Sequence, residues 1–275
     1  MRLQLGEMSI EGHSVAGEET WFRIHPPGLA FDVGRGAPAQ AGSRDLFVSH
    51  GHLDHALGVP YVLSQRTLHH HAPTRVFCPL PLAEVLREFV GAAERMERVE
   101  YRCEIAGLAP GDRVEVGRDL AIEAFSTDHV VPSLGFHLLR RRRRLKEAFR
   151  ACAGGELARL RGEGIAIDDA WEEIWLSYCG DTGPGVWELA PRLPESRLLM
   201  IECTFLGEAV RQHGSAYKHL HFDDLVEQAA KLERHEAIVL HHLSRRHTIG
   251  ELRHEIEARL PELAARIHLL GEVEV

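Results

Sequence analysis

The sequence predicts an α/β fold: two β-rich halves, each covered by helices, packed as a sandwich of two sheets with the helices outside. Three observations point there. At 275 residues and 44% hydrophobic, the chain has enough apolar side chain for one large core or two modest ones, and mixed architectures of this length often form a single domain. Short apolar runs broken by Gly and Pro fill the first fifty residues and return beyond residue 100. Between and after them lie stretches whose apolar residues recur at helical spacing. With 27% charged residues and only 13 prolines, a long disordered segment is not expected, so residues 1–275 are read as one domain.

In chain order, Leu3, Leu5, Met8 and Ile10 open the strand-like runs, followed by 21–24, 29–33 and 46–48. A helix is expected over 54–64, with Ala56, Leu57, Val59, Tyr61 and Leu63 toward a core and Pro60 marking a kink or a late start. A strand over 75–78 ends at Pro79, and Leu82, Val85, Leu86, Phe89 and Val90 have the spacing of an amphipathic helix over 82–96. Strands are expected again over 101–105, 114–116, 120–125 and 134–139. At Arg140 the texture changes to five consecutive arginines and a basic, glycine-punctuated stretch reaching 169. Strands follow over 174–178 and 198–201, then a helix over 222–234 running into a strand over 237–240. A helix over 249–260 is stopped by Pro261 before a final strand over 267–270.

The charge balance is acidic, with 32 basic against 41 acidic residues and a net charge of −9. That excludes a protein gripping nucleic acid with its whole surface but leaves room for a local basic patch. Five cysteines, scattered and never in a CxxC spacing, exclude a disulfide framework and a cysteine zinc finger; a reducing, cytoplasmic setting is expected. The N-terminus lacks an apolar signal core and no run of eighteen apolar residues occurs, so neither secretion nor a membrane partner is expected. The unusual feature is 19 histidines, because neutral imidazole is the commonest metal ligand.

The strongest local signal is Ser49-His50-Gly51-His52-Leu53-Asp54-His55, entered from the apolar run 46–48. A strand presents alternate residues to one side, so His50 and His52 can share an ion, while Asp54 and His55 lie past the turn and can reach a second. Imidazole with carboxylate suits Zn²⁺, with Mn²⁺ or Fe as alternatives. The run His69-His70-His71, by contrast, reads as a solvated surface turn.

The heptad resembles the signature of the metallo-β-lactamase superfamily, and motifs along the rest of the chain narrow the likeness to ribonuclease Z. These are Asp128-His129 in a turn between strands, Gly180-Asp181-Thr182 closing a strand, Glu202-Cys203-Thr204-Phe205, and His219-Leu220-His221 followed by His241-His242-Leu243-Ser244-Arg245-Arg246-His247. Glu19-Thr20-Trp21 and Phe31-Asp32-Val33-Gly34-Arg35 look like its short plant-type form. The resemblance implies a four-layer αβ/βα sandwich of two mixed sheets. It implies two Zn²⁺ per chain (Mn²⁺ or Fe possible): one held by His50, His52 and His129, the other by Asp54, His55 and His242, with Asp181 bridging. It gives Asp54 a catalytic part besides its ligation and makes His219 the general acid, oriented by Glu202. His219 is chosen over His221 because it opens the HxH pair, and His242 over His241 because Leu-Ser-x-Arg follows it. His247 stands where the family has tyrosine, and Gly183-Pro184 where Arg-Pro is common.

The resemblance also implies a substrate, precursor tRNA, whose 3′ trailer is removed to leave a 3′-hydroxyl, and a homodimeric enzyme. Residues 140–169 occupy the place of the inserted arm that grips tRNA, so Arg140, Arg141, Arg142, Arg143 and Arg144 become candidate phosphate contacts; the plainer reading is a helix with a solvated arginine face. The alternative function is a related phosphodiesterase or esterase acting on small molecules such as cyclic nucleotides, since one fold hosts many activities.

Overall fold

A computed structural model describes residues 2–207 and 216–270. Fourteen strands form two seven-stranded sheets, and each sheet is antiparallel over one part and parallel over the other. The first takes β1 (Arg2–Leu5), β2 (Met8–Val15), β3 (Glu19–His25), β4 (Leu29–Val33), β5 (Asp45–Phe47), β6 (Thr74–Pro79) and β7 (Cys103–Leu108) in sequence order. Pairing is antiparallel up to β4 and parallel from β4 to β7. The second takes β8 (Arg113–Gly117), β9 (Leu120–Ser126), β10 (Leu134–Leu145), β11 (Asp168–Tyr178), β12 (Leu198–Glu202), β13 (Ala237–His241) and β14 (Ile267–Leu269). Here β8 to β11 are antiparallel and β11 to β14 parallel.

The sheets face each other across an aromatic-rich core including Phe22, Phe31, Phe47, Phe136, Tyr178 and Met200. Helices α1 (Leu53–Ala56), α2 (Val59–Leu68) and α3 (Ala83–Glu97) cover the first sheet through Val59, Leu63, Leu86 and Val90. The second is covered by α5 (Val186–Leu189), α6 (Phe222–Glu227), α7 (Ala229–Leu232) and α8 (Ile249–Arg259); α4 (Gly154–Gly162) lies away from both. Strands buried on two faces need apolar residues throughout, which is why β4, β12 and β13 read as continuous rather than alternating runs. The expected four-layer αβ/βα sandwich is what the chain forms.

Several elements differ from their sequence reading. The helix expected over 54–64 is two helices, with Pro60 in the first turn of α2 where its missing N–H costs nothing. Leu57 and Tyr61 face outward rather than into the core, as do Val85 and Phe89 on α3. The helix expected over 222–234 breaks at Gln228. The arginine run is neither helical nor loop-like: it continues β10 and pairs with β11 from Arg140↔Glu173 to Arg144↔Asp169. Beyond Arg140 the strand has left β9 behind, so β10 and β11 project as a two-stranded ribbon. Arg140 is buried, donates to Glu173 Oε1 at 2.6 Å and Glu7 Oε2 at 2.7 Å, and stacks 3.9 Å from the Trp175 ring. It therefore serves the fold and is not free for phosphate. Arg141 is paired with Glu115 and Arg142 with Glu173, whereas Arg143 and Arg144 have no carboxylate partner among the described residues. Also among the described residues, no helix is long and apolar enough to cross a membrane.

Candidate metal centre

In both sheets the parallel strands run so that their carboxyl ends open onto one side of the sandwich, the place where α/β sheets present their ligands. His50, His52 and Asp54 follow β5, Asp181 follows β11, Glu202 ends β12 and His242 follows β13, while His129 enters from the turn after β9. All seven side chains that the family likeness marks as ligands come together there. His50, His52, His129 and Asp181 form one group, and Asp54, His55 and His242 another, the ligand atoms of each within 4.8 Å of one another. Asp181 joins them: its Oδ2 lies 3.6 Å from His50 Nε2 and 3.3 Å from His242 Nε2, and its Oδ1 lies 3.3 Å from His55 Nε2.

Hydrogen bonds set which nitrogen each ring offers. His55 Nδ1–H donates to Asp32 Oδ2 at 2.8 Å; His50 Nδ1–H donates to Ser49 Oγ at 2.9 Å, and that hydroxyl donates to Asp32 Oδ2 at 2.8 Å. His242 Nδ1–H donates to Thr204 Oγ1 at 2.9 Å, and His129 Nδ1–H to the Lys218 carbonyl at 3.4 Å. With Nδ1 committed in this way, each of these rings turns Nε2 toward Asp181 or His52, the arrangement that outer partners impose on metal-bound histidine. Asp32 and His242 both adopt left-handed backbone, with φ of 51° and 60°. Such strain persists where surrounding structure over-determines it, and it concentrates at functional sites.

The residues fit cations on two grounds. First, His50 Nε2 and Asp181 Oδ1 are buried yet have no hydrogen-bond partner, a condition expensive enough that native structures rarely keep it without an ion or water. Second, Asp32, Asp54 and Asp181 are three carboxylates whose only cationic partners among the described residues are histidines. Cations at the cluster would compensate these carboxylates, and a buried charge without such compensation is very costly. Burial, the largest influence, pushes His50 well below the ordinary histidine range and His52 and His129 below it, so these rings are neutral. Burial alone would raise Asp181, but the His242 and His55 imidazoles hold its carboxyl well below the usual value, and Asp181 and Asp32 in turn outweigh burial and hold His55 well above the ordinary histidine range.

Beside this cluster, His219 Nδ1 donates to Glu202 Oε1 at 2.9 Å. Glu202 is fully buried and also accepts from the Thr182 amide at 2.7 Å, the Leu220 amide at 3.1 Å and the Thr204 hydroxyl. Burial pushes His219 down, yet the Glu202 charge and hydrogen bond outweigh it and hold the ring up at about 9. The ring lies 5.1 Å from His129 and 5.3 Å from His242, centroid to centroid, and lines a cleft of about 510 Å³ with Asp54, Asp181 and Phe205. The neighbouring histidines are elsewhere. His221 caps α6 by accepting from the Asp223 amide and donates to the Gly207 carbonyl; His241 points between the sheets against Phe22 and Tyr178; His247 accepts from the Leu206 amide.

Asp32 was legible only as part of a family likeness, with no role. In the fold it accepts from Ser49, His55 and Tyr178, so it orients His50 and His55 from behind. A lone aspartate at a strand end has no spacing that announces such a role. Ser49, Thr204 and Tyr178 were equally silent.

Residues 35–242 match the model of the Beta-lactamase superfamily domain. Over 274 residues the chain is 31% identical to tRNase Z TRZ1 of Arabidopsis thaliana, covering 98% of this chain and 97% of that one. It is 34% identical over 167 residues to nuclear ribonuclease Z of Triticum aestivum, covering 60% of this chain and 94% of that one. Among solved structures, human tRNase Z, short form, superposes with a TM-score of 0.59 at 18% identity, covering 86% of this chain and 93% of that one, a likeness of fold.

Proposed function

The chain belongs to the metallo-β-lactamase superfamily and, within it, to the tRNase Z (ribonuclease Z) family, and we propose that it is a dinuclear zinc endoribonuclease that removes the 3′ trailer of precursor tRNA and leaves a 3′-hydroxyl. The observation that carries this reading is the convergence of seven donors around Asp181 beside the Glu202–His219 pair. His50, His52 and His129 would hold one cation and Asp54, His55 and His242 the other, with Asp181 between them. Imidazole and carboxylate donors suit Zn²⁺ and also admit Mn²⁺ or Fe. When bound, such a pair supplies a water that ionises near neutrality and offsets charge developing on the phosphate.

The protein's own groups do the rest. The Gly17 amide donates to Asp54 Oδ2 at 3.0 Å, which leaves Oδ1 to take a proton from the attacking water. As the bond from phosphorus to the 3′-oxygen breaks, that oxygen needs a proton, and His219 has one on Nε2 because Nδ1–H is committed to Glu202. Glu202 keeps the ring charged and turned toward the cleft, and returns to the same state once the ring is reprotonated. Among the arginines, Arg143 and Arg144 on the projecting ribbon are the ones left to meet the tRNA backbone. The enzyme is expected in the cytoplasm and as a homodimer; the exposed apolar side chains of Leu53, Leu57, Tyr61, Val85 and Phe89 on α1, α2 and α3 support association. Light scattering should give twice the 30.8 kDa chain mass, and a single monomeric species at micromolar concentration defeats the dimer.

The test of function is incubation with labelled precursor tRNA beside bis(p-nitrophenyl) phosphate, with and without chelator. Trailer release that chelator abolishes supports the proposal. Chelator-sensitive cleavage of the small ester alone would favour a small-molecule phosphodiesterase.

A further inference from the structure

Lys218 sits where three segments of the site meet. It immediately precedes His219, and its backbone is left-handed, with φ of 54°, a conformation that side chains other than glycine, Asn or Asp rarely take. That turn directs the Lys218 carbonyl to His129, whose Nδ1 donates to it at 3.4 Å. The Lys218 ammonium reaches Asp128 Oδ1 at 2.8 Å. Asp128 is itself tied to the turn after Asp181: its Oδ2 accepts from the Gly185 amide at 3.2 Å, its carbonyl from the Gly183 amide at 2.7 Å, and its amide donates to Thr182 Oγ1 at 3.0 Å. The junction is tightly packed. A Cβ on Gly183 would come within 2.9 Å of Asp128 Oδ2 and 3.3 Å of Lys218 Cα, and one on Gly185 within 2.7 Å of Asp128 Oδ2.

One ion pair thus couples the residue beside ligand His129, the turn after ligand Asp181 and the approach to His219. The Lys218 side chain is 47% exposed and that of Asp128 23%, so the pair adds little to global stability. A contact that does little for stability but holds an unfavourable turn beside the reacting groups has its consequence in alignment. We propose that Lys218 and Asp128 are a positioning pair, which holds the left-handed turn that aims His219 Nε2 at the leaving oxygen. This rests on His219 being the proton donor.

The experiment compares two leaving groups. The nucleoside oxygen of precursor tRNA needs a proton to depart, whereas p-nitrophenolate leaves bis(p-nitrophenyl) phosphate as a stable anion. Lys218→Met removes the charge at similar length, and Asp128→Asn removes it while keeping an oxygen for the Gly185 amide. Each should lower kcat on precursor tRNA about tenfold or more with KM little changed, as small misplacements of a catalytic group do. Turnover of the ester should stay within about twofold, because that step asks nothing of the acid. Lys218→Arg should recover most of the loss, and the double variant should be no worse than either single one, since one contact is removed in both. Equal losses on both substrates, a raised KM at unchanged kcat, or no loss on RNA overturns the positioning role. His219→Ala run alongside separates the two levels: if it falls equally on both substrates, the acid assignment itself fails, and the positioning role with it.

Discussion

Replacing His219 or His242 by alanine separates proton donor from metal ligand. The two rings are nearly parallel, 5.3 Å apart, and Asp181, Glu202, His219 and His242 are also close enough together to hold a cation. Hydrogen bonding decides against that third grouping. Glu202 Oε1 accepts from the Thr182 amide and His219, and Oε2 from the Leu220 amide and Thr204 hydroxyl, so both oxygens are already saturated. His219 Nδ1 is committed in the same way. His242 instead has Nδ1 on Thr204 and turns Nε2 to Asp181 at 3.3 Å, His55 at 3.4 Å and Asp54 at 3.5 Å.

His242→Ala therefore removes one donor of the set Asp54, His55, Asp181 and His242, and metal content should fall from about two to about one equivalent per chain. His219→Ala touches neither ligand set, so both equivalents should remain. Its cost is kinetic: a lost proton donor lowers kcat about 10²–10⁴-fold, or about 3–5 kcal/mol of barrier. The assay is elemental analysis after zinc-replete purification and gel filtration, paired with kcat on precursor tRNA for the same preparations. Loss of a metal from His219→Ala while His242→Ala keeps both would refute the assignment and make His219 the ligand in place of His242.

Further outcomes follow from the same geometry. The unaltered chain should bind about two equivalents of zinc; under half an equivalent after replete purification would contradict the seven-ligand reading. Arg143→Gln with Arg144→Gln should raise KM for precursor tRNA several-fold and flatten its salt dependence by nearly one log unit per lost phosphate contact, with ester turnover unmoved; loss on both substrates would make the ribbon structural. Arg140→Gln should instead lower stability by about 1–3 kcal/mol, because the hydrogen bonds to half-buried Glu173 and to Glu7 and the stacking on Trp175 go together; an unchanged Tm would contradict it. His137 is pushed by burial down to about 3, with Arg192 adding to the shift, so the folded state binds fewer protons than the unfolded one. Its contribution is present above the unfolded value of 6.5 and is lost as pH falls toward 3. Denaturant titrations should show His137→Gln losing about 2 kcal/mol less than the unaltered chain between pH 7 and pH 5; parallel curves would refute this.

Local chemistry was legible from the sequence by itself. Apolar runs between Gly and Pro gave nearly every strand, because a strand's burial is written into consecutive residues. The heptad from Ser49 to His55 showed a metal-binding turn because its four donors fall within six positions. His129, Asp181 and His242 are 52 to 113 positions from one another in no readable period, and family likeness rather than spacing marked them. Only the tertiary structure decided which groups stand behind the ligands. Asp32 reaches Ser49, His55 and Tyr178 across separations of up to 146 residues, and no local pattern encodes such a contact. It also decided what the arginine run is. Five like charges in a row argue against a strand, yet Glu7, Glu115, Glu172 and Glu173 come from other strands or turns to pair with them, which makes the strand tolerable. Charge compensation across a sheet depends on register, and register is set by the pairing of segments far apart in the chain.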